Sequence, residues 1–515
     1  MRVSYNQGVS WSWLTDNPLA RFARRPPRAN APTFAVARWV FLRLAGLTYL
    51  IAFLSLGSQI LGLIGSRGIL PAQPLLDAAS TQLGPARYWW LPTLCWFSAS
   101  DAVLRGLCLA GAGVSALLLL DVAPALCALI AWALYLSLAT VCREFLSYQW
   151  DALLLEMGFL AIFFSPLRLS PRLGGDAPER PLVRRLLWWL LFRLMVSSGV
   201  VKLASGDPTW RHLTALTYHY ETQPLPTWIG WYAHQLPHAF HLLSCVLMVA
   251  IELAVPWLIL GSSRVRTGAC AALIGFQVLI AATGNYCFFN LITIALCLLL
   301  LDDAAWPRAL RERFSRPIPA AASTSRWPRW VMGPVATVLL GVSTVQMGSL
   351  LGLQYLCPAP LVGLVVALQP WQVVNSYGLF AVMTTSRPEI VVEGSDDGTT
   401  WHAYAFPYKP GDLRRRPAFV APHQPRLDWQ MWFAALGTYR EAPWFLRFCE
   451  QLLRGSPDVL ALLADNPFPR HPPRYIRATR YDYHFTDLAT KRAEGAWWRR
   501  SPKGLYCPVL SLRER

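Results

Sequence analysis

The chain has 515 residues, of which 54% are hydrophobic and only 15% charged. Soluble domains carry about 25% charged residues, so a wholly soluble protein is excluded. The formal net charge is +18. Much of the excess lies in short loops beside apolar runs, where it orients a membrane protein, and no nucleic-acid partner is expected.

Residues 1–38 read as a basic cytoplasmic arm carrying Arg21, Arg24, Arg25 and Arg28. The apolar run that follows is too long for a signal-peptide core and has no small-residue cleavage site after it, so it reads as an anchor. Spans need roughly 20 apolar residues. The runs 39–64, 96–120, 123–142, 149–166, 186–205, 241–261, 267–284, 287–301 and 330–352 predict about nine transmembrane helices. The shortest fall below that length and are also compatible with re-entrant segments. The fold expected is a polytopic α-helical membrane protein, with its membrane domain over 39–372 and a C-terminal extramembrane α+β domain over 373–515.

Loop charge sets the expected orientation. The arm, the segment Arg168–Arg185 and the segment Arg308–Arg329 are all Arg-rich. Nine spans with the N-terminus inside put all three in the cytoplasm. Segments 65–95 and 206–240 and the C-terminal domain then fall outside. The run 358–371 is apolar but short, and reads as interfacial or re-entrant.

Charges inside spans cost ~2.5–3.5 kcal/mol each on insertion scales, and mark function or specific pairing. Arg43, Asp101, Arg105, Asp151, Glu156, Arg193, Lys202 and Glu252 lie in or at the edges of apolar runs. Asp101 and Arg105 stand four apart, a spacing for mutual neutralisation on one helix. Arg193 and Glu252 have no nearby partner in sequence. They are expected to pair across helices or to line a polar cavity.

The exterior segment after Lys202 is the densest in chemistry. Asp207 followed by Pro208 is a helix start just outside the bilayer, with Trp210 and His212 close behind. Such an N-terminus beside Lys202 also suits an anion or a carbonyl. Five of the nine His fall between His212 and His241. His212 and His219 are seven apart and share a face if the helix is continuous. His234, His238 and His241 follow at helical spacing, but Pro237 interrupts them and no Asp, Glu or Cys nearby completes a ligand set. Histidines on the wet side of an interfacial aromatic belt explain the pattern better, and no metal or other cofactor is expected.

In the C-terminal domain, the stretch Glu389–Phe406 reads as a β-hairpin around the turn Gly-Ser-Asp-Asp-Gly. Leu427–Leu436 reads as a helix with Trp429, Trp432 and Phe433 at helical spacing. Pro443–Leu463 reads as one or two amphipathic helices, and Tyr475–Thr486 as a strand. His423 and Asp428 match the spacing of an acyltransferase dyad, but such a pair is common by chance and Pro425 interrupts the element. There is no nucleophile elbow, no phosphate-binding glycine loop and no C-x-x-C. Cys357, Cys449 and Cys507 lie on the exterior side, where a disulfide is chemically allowed.

Several long strings resemble the lipase maturation factor family. They include YQWDALLLEMGFLAIFFSP (148–166), KLASGDPTWRHLTALTYHYETQPLP (202–226) and ATGNYCFFNLITIALCLLLLDD (282–303). NSYGLFAVMTTSRPEIVVEGSDDGTTW (375–401), VAPHQPRLDWQMWFAALG (420–437) and the tail Tyr475–Tyr506 continue in the same order. The resemblance implies a multi-pass protein of the endoplasmic reticulum membrane, with its C-terminal domain in the lumen. It implies a chaperone-like role in the folding and assembly of secreted lipases, and carries over no catalytic residue. Compact loops and richness in Arg, Ala, Leu and Pro suggest a bacterial-type member, in which the equivalent place is the inner membrane facing the periplasm. Trp429, Trp432 and Phe433, with Trp497 and Trp498, are candidate contacts for a client lipase or other exported protein. Membrane lipids are the other expected partners. The alternative is an integral-membrane enzyme acting on a lipid or quinone, since GVVKLASGDPTWRHLTAL faintly resembles the membrane domain of vitamin K-dependent carboxylases. Lys202, Asp207, Trp210, His212, His219, Arg193 and Glu252 form the candidate functional cluster under either reading.

Overall fold

A computed structural model describes residues 33–512 apart from 175, 177–178 and 315–326. Most of the expected arm over 1–38 and part of the Arg-rich segment Arg308–Arg329 therefore lie outside the described residues. In chain order the principal helices are α1 (Ala35–Gly57), α2 (Asp101–Leu119), α3 (Pro124–Cys142), α4 (Gln149–Phe164) and α5 (Pro181–Ala204). Two short helices follow, α6 (Ala215–Thr222) and α7 (Trp228–His234). Then come α8 (His238–Ala254), α9 (Ser263–Thr283), α10 (Phe289–Leu298), α11 (Arg329–Leu350) and the short α12 (Ala359–Leu368).

Seven helices among the described residues are long and apolar enough to cross a bilayer: α1, α2, α3, α5, α8, α9 and α11. The protein is a polytopic helical membrane protein. The other two expected spans are shorter. At 1.5 Å per residue, α4 is about 24 Å long and α10 about 15 Å. Both nevertheless run between the two ends of the bundle. At one end the Asp303 carboxylate accepts the N–H groups of Ala35 and Val36 that open α1. Arg43 and Arg168 both reach Asp121 at 2.6 Å there, and Arg168 also pairs with Asp176 at 2.8 Å. At the opposite end Ser55 of α1 accepts Gln424 N–H at 2.9 Å, and Gln149 of α4 accepts Gly378 N–H at 3.1 Å.

Close helix approach depends on small residues. Gly158 of α4 lies against Tyr49 of α1, where any Cβ would collide with the phenol oxygen. That hydroxyl donates to Leu154 O at 3.0 Å. Asp101 and Arg105 do not neutralise each other as expected. Asp101 instead accepts from the Ser66 backbone and hydroxyl at 2.7 Å, because the α2 start meets the turn that follows α1.

The C-terminal domain is built on a four-stranded antiparallel sheet of order β2-β1-β3-β4. Its strands are β1 (Pro388–Ser395), β2 (His402–Ala403), β3 (Tyr475–Phe485) and β4 (Trp498–Leu510). β1 and β2 form the expected hairpin, with Glu393 opposite Ala403. Asp397 serves the turn: its carboxylate accepts Thr399 and Thr400 N–H at 2.8 and 2.7 Å. Ile390, Val392, Ile476 and Ala478 face a buried core that includes α13 (Arg426–Ala435) and α14 (Pro443–Leu453). β4 is not expected from the sequence. Pro502 and Pro508 interrupt its pattern, and prolines are tolerated here because the strand sits at the sheet edge. All eleven cysteines are free, and Cys449 and Cys507 are buried.

Candidate functional site

The candidate cluster sits where the C-terminal domain meets the bundle. Lys202 lies in the last turn of α5 and is buried. Its ammonium donates to both Glu252 oxygens at 2.8 Å and to Ser198 O at 3.1 Å. The Trp210 ring stands 5.6 Å from the same nitrogen. An ammonium so placed has its donors committed and its charge cancelled.

The chain then turns sharply at Gly206, whose φ of +76° favours glycine. Asp207 caps the next turn by accepting Thr209 N–H at 2.7 Å, and its other oxygen accepts Met383 N–H at 2.7 Å. Burial pushes this carboxyl up, but the bonds from Thr209 and Met383 outweigh it and hold it below its ordinary value. Trp210 donates its indole N–H to Phe380 O at 2.9 Å. The expected helix start therefore exists, and its acceptor is occupied by the segment that leads into the sheet.

Arg193 and Glu252 each pair across helices, though not with each other. Arg193 binds Glu156 of α4 and donates to Asn375 O at 3.0 Å. Glu156 also accepts Asn375 N–H and the Tyr377 hydroxyl, both at 2.8 Å. A second carboxylate of α4, Asp151, receives both arms of Arg426 at 2.6 and 2.8 Å and the Tyr135 hydroxyl. Arg426 further donates to Phe145 O at 3.1 Å. Carboxylates of the bundle thus bind the polypeptide that follows it.

Arg387 completes this attachment and was not singled out from sequence. It is fully buried. Its guanidinium donates to the carbonyls of Glu221, Gln223 and Pro224 and to Glu389 Oε1 at 2.8 Å. The side chain of Glu221 turns the other way, accepting Phe485 N–H at 2.6 Å and meeting His484 Nδ1 at 3.0 Å. In sequence Arg387 is one arginine of 47 basic residues. Only its place before Pro388 hinted that its backbone is extended.

The histidines separate. Leu213 has a positive φ of 59° and divides the expected continuous helix, so His212 is exposed while His219 turns inward. His219 Nε2 lies 3.1 Å from the Tyr286 hydroxyl, which donates to Gln223 Oε1 at 2.8 Å. His234 lies 3.9 Å from Glu221. Among the described residues no group of three or more His, Cys, Asp or Glu is arranged to hold a metal. Burial, aided by the Lys202 charge, pushes His219 down to about 4. An unfolded histidine takes up its proton near 6.5 and the folded one resists until about 4. Stability is therefore lost as pH falls across that window. The melting temperature should drop between pH 7 and pH 5, and His219→Gln should flatten the drop; an unchanged slope would refute the assignment.

The expected aromatic contact surface requires correction. Trp429 is 3% exposed and Trp432 8% exposed. Trp429 packs on Tyr148, Trp150 and Tyr286, and Trp432 donates to Thr222 O at 2.9 Å. They join the two regions and offer little free surface. Trp497 and Trp498 are buried too. Phe433, at 45% exposed, keeps an open face. The His423–Asp428 spacing makes no dyad contact: His423 bonds Ser55 at 2.9 Å, and Asp428 accepts Tyr408 and Lys409 N–H at 2.9 and 2.8 Å.

Beside the Lys202–Glu252 pair lies a cavity of about 90 Å³. Leu194, Met195 and Ser198 of α5, Phe276, Gln277 and Ile280 of α9, and Leu379 and Phe380 line it. Glu252, His219, Tyr286, Phe289 and Thr293 complete the wall.

The comparisons with known proteins agree across this whole architecture. Residues 36–308 match the family model described as the lipase maturation factor transmembrane domain, and residues 373–508 match the lipase maturation factor C-terminal domain. The chain is 37% identical to human lipase maturation factor 2, over 92% of its own length and 82% of the relative's. It is 35% identical to bovine lipase maturation factor 1 (95% and 91% covered) and 34% identical to the mouse protein of that name (98% and 93%). No solved structure matches.

Proposed function

The chain belongs to the lipase maturation factor family, and from that premise we propose that it is a non-enzymatic, membrane-embedded factor assisting the folding and assembly of a secreted lipase. The observation that carries this reading is the match of both family models, in order and over most of the chain. The architecture is consistent with it. Two carboxylates of the bundle, Glu156 and Asp151, bind Asn375, Tyr377 and Arg426 of the polypeptide that follows it, which suits a platform held at a fixed place on the bilayer. The comparisons offer no support for a carboxylase-type enzyme.

We take the C-terminal domain to face the lumen of the endoplasmic reticulum, or the periplasm of a bacterial host. Gathering of Arg38, Arg43, Arg168 and Arg184 at the opposite end of the bundle supports this orientation. Of the candidate client contacts, Phe433 beside the exposed Leu436 is the one carried forward. The test uses cells lacking their own lipase maturation factor. Expressing this chain should raise the activity per molecule of secreted lipase. Phe433→Ala should reduce that rise at equal levels of the chain. Full-length chain at normal abundance with no gain in lipase activity would sink the reading.

A further inference from the structure

The cavity at the Lys202–Glu252 pair has a hydrogen-bonding inventory that specifies a ligand, independently of client handling. Its walls are mainly apolar, with Leu194, Met195, Phe276, Ile280, Phe289 and Leu379 supplying most of the surface. A water needs about 10–15 Å³ of such free space and two to four polar partners. About 90 Å³ exceeds the room for one water, and these walls offer few partners for several. Two of the walls, α8 and α9, carry outward-facing Leu243, Leu247, Val278 and Leu279, so bilayer lipid is the immediate neighbour.

The polar atoms are mostly accounted for. Gln223 donates its amide to Tyr220 O and Thr283 O, so its Oε1 is an acceptor for the Tyr286 hydroxyl. With the Tyr286 proton used there, His219 Nε2 must be the donor to the phenol oxygen. His219 Nδ1 is then a lone-pair acceptor, and among the described residues nothing bonds it. Glu252 keeps lone pairs beyond those taken by Lys202. Ser198 and Thr293 return their hydroxyl protons to their own helices, at Leu194 O and Phe289 O. Gln277 Oε1 accepts from Asn290 at 2.9 Å, and among the described residues its amide N–H₂ has no acceptor. The site therefore presents acceptors at His219 and Glu252 and a donor at Gln277. Lys202 is already neutralised, so an anionic headgroup has no cation to meet.

We propose that this cavity binds the head of a neutral lipid bearing both a free hydroxyl and an ester or amide carbonyl. The hydroxyl donates to His219 Nδ1, the carbonyl accepts from Gln277, and the chain passes Phe276 and Ile280 toward the bilayer. Burial keeps His219 uncharged at neutral pH, with its value down at about 4, so the acceptor persists under physiological conditions.

The test uses the full-length protein in nanodiscs and a monoacylglycerol with a photoactivatable group in its acyl chain. Labelling should fall on Leu194–Ser198, Phe276–Ile280 or Leu379–Phe380. Excess monoacylglycerol should compete, whereas a fatty-acid methyl ester, which has the carbonyl but no hydroxyl, should compete about fivefold less well. His219→Phe and Gln277→Leu should each lower labelling about fivefold, the loss of one hydrogen bond. Leu379→Trp, placed on a connecting segment, fills the cavity and should abolish labelling with the fold intact by melting temperature. The proposal is overturned if the methyl ester competes equally, if Leu379→Trp labels like the parent, or if labels fall only on the outer residues Val278 and Leu279. None of these outcomes bears on lipase secretion, so failure here is separable from failure of the maturation role.

Discussion

Arg426→Leu is expected to destabilise the protein by ~3–5 kcal/mol, the usual cost of stranding one member of a buried ion pair. Asp151 sits within α4 and is 1% exposed. Without Arg426 its carboxylate keeps only the Tyr135 hydroxyl as a partner among the described residues. The Phe145 carbonyl loses a donor at the same time. Because Arg426 opens α13 and Asp151 belongs to the bundle, the damage should centre on the attachment of the C-terminal domain. Limited proteolysis should release that domain at denaturant concentrations the parent resists. Asp151→Leu combined with Arg426→Leu removes both charges and should recover most of the loss, since buried pairs replaced by apolar residues are often neutral. If the double variant is as unstable as the single one, the stranded charge is not the cause.

Arg387→Ala should be of comparable severity and act at the other attachment. It leaves three backbone carbonyls, at Glu221, Gln223 and Pro224, without the donor that satisfies them inside the protein. Each orphaned buried acceptor costs about 1–3 kcal/mol. Glu389 retains Lys409 at 2.9 Å, so the local strand should survive while the 206–226 segment loosens. Arg387→Lys keeps the charge but cannot spread donors across three carbonyls and a carboxylate, because an ammonium lacks the planar fork. It should fall between Ala and the parent. The measurement is hydrogen exchange over 215–226 alongside lipase activity per molecule of chain. Equal protection in Arg387→Lys and the parent would show that the fork geometry is dispensable.

Local pattern determined much of this protein. A helix in lipid must be apolar along about 20 residues, so the long runs were legible one at a time. Turn chemistry is equally local: Gly394 to Gly398 specified the β1–β2 hairpin, and Asp207-Pro208 specified a helix start. Charges inside the runs announced themselves by their cost, and the long shared strings pointed to the family. Tertiary structure decided which partner each charge found. Arg193 turned to Glu156 and left Glu252 to Lys202, because pairing depends on which helices are neighbours and how each is rotated. The same limit applies to Trp429 and Trp432. Helical spacing shows that aromatic side chains share a face, but not whether that face meets water, a client or the bundle. β4 was hidden because proline is forbidden only where a strand has neighbours on both sides, and edge position is a property of the sheet. The cavity was equally invisible, since its walls come from segments up to 186 residues apart, Leu194 and Phe380 among them. Its polar residues acquired meaning only when packing settled which donors and acceptors were already used.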